Sequence, residues 1–138
     1  MFLVSTRLGL IACQYLIQSY YENRYISAPE ISERYNMNVR ALMPALRQMT
    51  RSGLLHSRTG GVEPGFIFSR DPKDMFVLEL LTVLEGDNEF YCCKEFIQGI
   101  KCDCNSVSDC SMFNVFCNII EHAKQKLSKM SLVEYCKR

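Results

Sequence analysis

The chain has 138 residues, a formal net charge of +1 and eight cysteines. A domain of this length buries about two-thirds of the surface that its unfolded chain exposes, so its core needs neither a disulfide nor a metal. No apolar run approaches the roughly 20 residues of a membrane span, and the net charge by itself gives no indication of an acidic partner.

The first predicted element is an amphipathic helix over residues 5–21, where apolar side chains recur at three- and four-residue intervals. Residues 10–13 resemble a lipoprotein cleavage box. However, no basic residue precedes the apolar stretch and residues 5–7 interrupt it, which is not typical of a signal peptide. We therefore expect a cytoplasmic protein with reduced thiols, and we interpret Cys13 as a small core residue.

A helix-turn-helix pattern follows. A Ser-x-x-Glu capping box at residues 27–30 predicts a helix over residues 28–35, and the Asn-Met-Asn sequence at residues 36–38 predicts a tight turn. The second asparagine of that turn is a good N-cap for a third helix within residues 38–52. Pro44 lies inside this helix, and we expect it to cause a kink or a late start because proline removes a backbone hydrogen bond.

The next segment predicts a β-hairpin and a fourth helix. Residues 54–58 and 66–69 are rich in apolar side chains and flank residues 59–65, which contain three glycines and a proline. Asp71, followed by a proline, is predicted to open a further helix that Gly86 closes. Near the C-terminus, apolar spacing predicts a long helix, and a second capping box predicts a short terminal one.

The order helix, helix, tight turn, helix, hairpin indicates a winged helix-turn-helix, so the predicted fold class is mainly α with a small β-hairpin wing. The outward face of the third helix carries Arg40, Arg47 and Arg51, and residues 35–62 contain no Asp or Glu. These arginines could be a merely solvated face, but such a face usually carries acidic partners one turn away. The pattern therefore favours double-stranded DNA as the partner.

We expect the basic residues to divide between two roles. Arg58 at the base of the wing, with Arg47 or Arg51, would bind phosphates or narrow-groove edges. Arg40 is best placed to read base edges, with Ala41 as an apolar neighbour. The predicted DNA-binding residues are Asn38, Arg40, Ala41, Arg47, Gln48, Arg51, Arg58, Gly60 and Gly61.

A single winged helix gives limited affinity, so we expect a homodimer that reads two half-sites. Residues 111–129, the long helix, are the predicted interface, although the same apolar stripe could pack on its own domain. The predicted regions are residues 1–85, a DNA-binding domain, residues 86–110, a cysteine-rich sensor loop, and residues 111–138, the dimerisation and C-terminal helices.

Five cysteines crowd into nineteen residues: Cys92, Cys93, Cys102, Cys104 and Cys110. This loop and the wing resemble those of the IscR/NsrR/CymR-type regulators, the Rrf-two family of bacterial winged-helix transcription regulators. Three short stretches carry the same resemblance, namely ISER at residues 31–34, LRQMTRSG at residues 46–53 and SLVE at residues 131–134. The likeness runs nearly end to end in order and spacing.

The resemblance implies that three loop cysteines hold an iron-sulfur cluster that sets DNA affinity. By that resemblance, Cys104 and Cys110 match the second and third ligands, and one of the adjacent cysteines at residues 92–93 matches the first. The resemblance implies a fourth ligand that is a histidine shortly after the third cysteine or an acid on the first helix, but Phe113 stands three residues after Cys110 and no acid precedes Glu22. Either Cys102 or a paired cysteine would then complete the site, or no stable cluster forms. Thiolates on a flexible loop suit such a cluster independently of the family name.

Other interpretations of the cysteines stay open. A thiol switch could use the adjacent or closely spaced pairs, and an inert loop would suit a regulator that responds to a metabolite or a partner protein. Structural zinc is less favoured, since paired Cys-x2-Cys knuckles are absent from the sequence. Neither His56 nor His122 belongs to a catalytic motif, so we do not predict an enzyme. A protein-interaction module without DNA binding is the remaining alternative.

Overall fold

The computed structural model describes residues 3–86, 103 and 106–137 of the chain. Its helices and strands are, in chain order, α1 (Val4–Tyr21), α2 (Ala28–Tyr35), α3 (Val39–Arg51), β1 (Leu55–Arg58), β2 (Gly65–Phe68), α4 (Val77–Glu85), α5 (Ser111–Leu127) and α6 (Leu132–Cys136). Short 3₁₀ turns at Pro72–Asp74 and Val107–Asp109 precede α4 and α5. The predicted fold class, mainly α with a small β-hairpin wing, is confirmed.

The helix-turn-helix of α2 and α3 is capped as the sequence predicts. The Ser27 hydroxyl accepts a hydrogen bond from the Glu30 amide at 3.3 Å, and the Glu30 carboxylate accepts one from the Ser27 amide at 2.9 Å. Asn36 adopts a left-handed conformation in the turn, and Asn38 Oδ1 accepts a hydrogen bond from the Arg40 amide at 2.9 Å. Because these caps satisfy first-turn amides, local chemistry fixes where both helices begin.

Helix α3 begins at Val39 and continues through Pro44. Of the two effects expected from this proline, the late start is therefore wrong, and the kink stays a prediction. The cap at Asn38 already fixes the first turn. Leu42, Leu46 and Met49 are fully buried in a core shared with α1. Since Pro44 itself is exposed, the buried opposite face outweighs the one backbone hydrogen bond that proline removes.

The wing consists of β1 and β2, paired antiparallel with Arg58 opposite Gly65, as a predicted hairpin requires. The sequence pattern did not indicate a further pairing. Ile26, between α1 and α2, forms an antiparallel bridge with Phe66, with reciprocal backbone hydrogen bonds of 3.0 and 2.7 Å. Because Ile26 is fully buried, this bridge ties the wing to the helix-turn-helix.

The predicted start of the fourth helix is wrong. Asp71 caps only the 3₁₀ turn, and α4 begins at Val77. The buried Met75 between them is extended, and its carbonyl accepts a hydrogen bond from the Leu132 amide at 2.8 Å. The Val77 amide donates to the Met130 carbonyl at 2.9 Å. This pairing with a distant segment holds the backbone extended, and a local capping signal does not reveal it.

The last two helices differ in how they meet the core. Leu132 of α6 lies in the main hydrophobic core. By contrast, α5 has no fully buried side chain, and Met112, Val115 and Ile119 are each more than half exposed. Among the described residues, no helix has the length and apolarity that a membrane crossing requires. The predicted boundaries of the three regions stay predictions.

Candidate nucleic-acid interface

An open groove of ≈650 Å³ lies between α3, the wing and the start of α2. Three basic side chains line it, namely Arg47 and Arg51 from α3 and Arg58 from β1. Thr50 and Ser57 lie on the same walls. Guanidinium and hydroxyl groups are the side chains that most often bind the phosphate oxygens of nucleic acids. The groove therefore has the composition of a phosphate-binding surface.

The arginines of this surface lack ion-pair partners among the described residues. Within residues 3–86, 103 and 106–137, no ion pair includes any of the exposed arginines predicted to bind DNA, which are Arg40, Arg47, Arg51 and Arg58. Glu30, an acid at the start of α2, is occupied by its capping hydrogen bond and by Arg24. These arginines are consequently available to an external anion.

The predicted residues divide between the groove and its surroundings. The groove brings together Arg47, Arg51, Arg58 and Gly60. The remaining predicted contacts lie outside its lining: Asn38, Arg40, Ala41, Gln48 and Gly61. Because Asn38 Oδ1 already accepts hydrogen bonds from the first turn of α3, only its side-chain nitrogen is left for a ligand.

Pro44 also belongs to this exposed surface, although its position inside a helix predicted only a disturbance of the backbone. Arg40 and Arg47 are two helical turns apart, about 10.5 Å along the axis, and Pro44 lies between them on the same exposed face. Its ring is apolar and carries no amide donor, which suits contact with an apolar group such as a thymine methyl. The spacing i, i+4, i+7 could have identified it as part of this face.

Among the predicted cluster ligands, Cys110 is the one that falls within the described residues; Cys92, Cys93, Cys102 and Cys104 lie outside them. Its Sγ accepts a hydrogen bond from the Phe113 amide at 3.4 Å, so Cys110 is the N-cap of α5. A thiolate has further lone pairs, so this cap is compatible with a bond to a metal.

The rest of the ligand set stays a prediction. In the part of the chain that the structure describes, no group of three or more His, Cys, Asp or Glu residues could hold a metal ion.

Cys13 and Cys136 behave as packing residues. Burial raises the pKa of the Cys13 thiol well above its usual range, and the neighbouring Cys136 adds to that effect. Burial also raises the pKa of Cys136 to about 11. Both thiols therefore stay protonated near neutral pH, whereas the thiolate is the form that binds metals and reacts. The interpretation of Cys13 as a core residue is confirmed.

Comparisons with known proteins give one family and several similar folds. The model of the Rrf2 family, described as iron-dependent transcriptional regulators, matches residues 4–138. No curated protein matches the chain. IscR from T. potens is 23% identical, with a TM-score of 0.72 over 99% of this chain and 86% of that one.

Two further structures are similar over nearly their whole lengths. CymR, the global cysteine regulator of B. subtilis, is 17% identical with a TM-score of 0.76, covering 99% of this chain and 95% of that one. The oxidized form of S. aureus CymR is 15% identical with a TM-score of 0.72, covering 100% and 97%. At these identities the likeness shows a shared fold.

Proposed function

Because the chain belongs to the Rrf2 family of transcriptional regulators, we propose that it acts as a homodimer that binds a double-stranded DNA operator through α3 and the wing. The observation that carries this proposal is the groove in which Arg47, Arg51 and Arg58 meet with no ion-pair partner in the part of the chain that the structure describes. Members of this family are transcriptional regulators and not enzymes, in agreement with the sequence-based prediction. Since the operator would be chromosomal, we place the protein in the bacterial cytoplasm.

The binding mode follows from the positions of the side chains. With α3 in the major groove, Arg40 and Gln48 would face base edges, and Ala41 and Pro44 would contact apolar groups such as thymine methyls. The groove arginines would bind the phosphate backbone beside the helix. Gly60 and Gly61 at the wing tip would allow close approach of the protein backbone to the flanking DNA.

The dimer would form through α5. Phe113, Cys117 and Ile120 lie on a half-buried face of this helix, whereas Met112, Val115 and Ile119 form a separate, exposed apolar stripe. Exposed apolar stripes of this kind mark interaction surfaces. A second copy of the same stripe, related by a two-fold axis, would cover it and place two α3 helices on successive half-sites.

An iron-sulfur cluster is the first candidate for the signal. Cys110, the N-cap of α5, would supply one thiolate ligand. Cys104 and one of the two cysteines at residues 92–93 would supply further ligands. Cys102 would be an additional candidate ligand. The description of the family as iron-dependent supports this candidate. When bound, the cluster would supply chemistry sensitive to redox and nitric oxide status. A metal bond at Cys110 would change the N-terminal cap of α5, the helix proposed to form the dimer.

A cluster-free regulator is the second candidate. One similar structure is described as a global cysteine regulator and another as an oxidized form. These likenesses favour a protein of the same fold that responds to thiol oxidation, a metabolite or a partner protein. A protein-interaction module without DNA binding is the third candidate, and it predicts no salt-dependent binding to duplex DNA.

Removing one groove arginine should change the salt dependence of DNA binding. For Arg51→Ala we expect the slope of log K against log salt concentration to fall by about one, because one phosphate contact and its released counterions are lost. Fluorescence anisotropy with a labelled duplex at several salt concentrations measures the slope. Arg70→Ala is the matched control, since Arg70 is paired with Glu79 and lies outside the groove lining. Equal slopes for the native chain and Arg51→Ala would contradict this assignment.

Two substitutions of Cys110 separate capping from metal binding. Cys110→Ser keeps an N-cap acceptor and Cys110→Ala removes it, while both remove the thiolate. After anaerobic purification we expect both variants to lose iron, and the alanine variant to have an unfolding free energy about 0.5–1 kcal/mol below that of the serine variant, because only the serine keeps a capping acceptor. Iron and sulfide assays, the visible absorption spectrum and chemical unfolding provide the measurements.

The outcomes of that experiment distinguish the candidates. Cys104→Ala, tested alongside, should lose iron as Cys110→Ser does. A colourless, iron-free native protein would remove the cluster proposal and leave the cluster-free regulator. Unchanged iron in both Cys110 variants would remove Cys110 from the ligand set.

A further inference from the structure

Arg58 is held on two sides by residues that no sequence pattern singled out. Its guanidinium lies 4.1 Å from the centroid of the Tyr25 ring, a cation–π stacking distance. Its Nε donates a hydrogen bond to the Glu63 carbonyl at 3.0 Å. Among the described residues, its two terminal nitrogens have no hydrogen-bond acceptor. The edge of the guanidinium is therefore open while its face and its Nε are engaged.

The position of Tyr25 is fixed because the backbone is anchored by hydrogen bonds on both sides of it. The Arg24 amide donates to the Ser19 carbonyl at 2.9 Å, and the Ile26 amide donates to the Phe66 carbonyl at 3.0 Å. Phe66 belongs to β2, which pairs with the strand that carries Arg58. These backbone hydrogen bonds therefore fix the half-buried Tyr25 ring and Arg58 relative to each other.

We propose that Tyr25 is a positioning residue for DNA binding, which stacks under Arg58 and directs its terminal nitrogens to a backbone phosphate beside the wing. This inference rests on the proposed function. An exposed arginine ordinarily samples many rotamers, and each phosphate contact must restrict them. Stacking restricts them before DNA arrives and leaves the planar edge free for a bidentate contact. The expected benefit is tighter binding that does not depend on base sequence.

The test is a double-mutant cycle on a labelled duplex of mixed sequence. Tyr25→Leu keeps apolar bulk and removes the aromatic face, so we expect binding to weaken about three- to fivefold. Tyr25→Phe retains the ring and should bind as the native chain does. In an Arg58→Ala background, Tyr25→Leu should cause no further loss, because the group that it positions is gone. Thermal unfolding of each variant monitors the fold.

The outcomes separate this inference from the function on which it rests. If the native chain binds the duplex and Tyr25→Leu binds equally well, Tyr25 positions nothing and only the inference is overturned. A loss from Tyr25→Leu that persists in the Arg58→Ala background would also overturn it, since the effect would then be structural. If the native chain binds no duplex, the proposed function itself is wrong and the inference falls with it.

Discussion

Replacing Gly65 with alanine is expected to lower the unfolding free energy by about 3–5 kcal/mol and to abolish tight DNA binding. Gly65 begins β2 with a φ of +143°, a conformation that L side chains rarely adopt. A Cβ atom there would lie 2.2 Å from the Ile26 carbonyl oxygen and 2.3 Å from its carbon. Because these are backbone atoms, the bridge between Ile26 and Phe66 must break to admit the methyl group.

Gly61→Ala is the matched control for the loss of stability; it is not a control for DNA binding, because Gly61 is itself a proposed DNA contact. Gly61 also has a positive φ, +80°, but nothing lies within 4 Å of the position that its Cβ would take. Its substitution should therefore cost only the backbone strain, about 1–2 kcal/mol. Chemical unfolding measures both variants, and anisotropy with duplex DNA measures Gly65→Ala against the native chain. Similar losses of stability for the two would show that the bridge at Ile26 does not hold the wing.

A charge in the exposed stripe of α5 is expected to separate the dimer. Ile119 is 58% exposed in the single chain, and its side chain would be buried between two copies. In Ile119→Asp each copy would bring an uncompensated carboxylate to the same interface. We expect the dimer dissociation constant to rise at least about thirtyfold, since burying such a group costs about 2 kcal/mol or more. Sedimentation velocity over a range of concentrations measures the change.

Gln125→Asp is the control for that substitution, because it adds the same charge to another exposed side of α5, about 120° around the helix from Ile119. It should leave the dissociation constant close to the native value. A native chain that sediments as a monomer at all concentrations would contradict the dimer proposal. A dimer unaffected by Ile119→Asp would place the interface on a different surface.

The helix-turn-helix could be predicted from the sequence because its signals are local. The capping box of Ser27 and Glu30 and the cap at Asn38 each involve atoms within three residues of one another. Such hydrogen bonds form with little dependence on the rest of the fold. The charge pattern likewise indicated that the outward face of α3 lacks acidic partners.

The elements that depend on distant contacts could not be predicted in this way. The extended backbone at Met75 is held by hydrogen bonds to the segment before α6, and the wing is held by Ile26, which carries no turn or strand signal of its own. Burial of the opposite face explains why Pro44 is tolerated, whereas the proline by itself predicted a kink or a late helix start. The stacking of Arg58 on Tyr25 depends on the same long-range bridge and has no sequence signature.

The cap at Cys110 gives a physical link between the sensing and binding parts of the proposal. The same sulfur that ends the cysteine-rich segment accepts the first hydrogen bond of α5. Chemistry at this sulfur would therefore act directly on the helix whose exposed stripe is proposed to form the dimer. A coupling free energy of about 1–3 kcal/mol between chemistry at Cys110 and DNA binding would be typical of such regulation.

The most direct test of the central claim, that α3 and the wing read an operator, is selection of bound sequences from a random duplex library. The native chain should enrich a sequence with two inverted half-sites about one helical turn apart. Arg40→Ala should still bind DNA but lose preference at the base positions that Arg40 reads. If the native chain enriches no sequence over the starting library, the account of this protein as a sequence-specific regulator is contradicted.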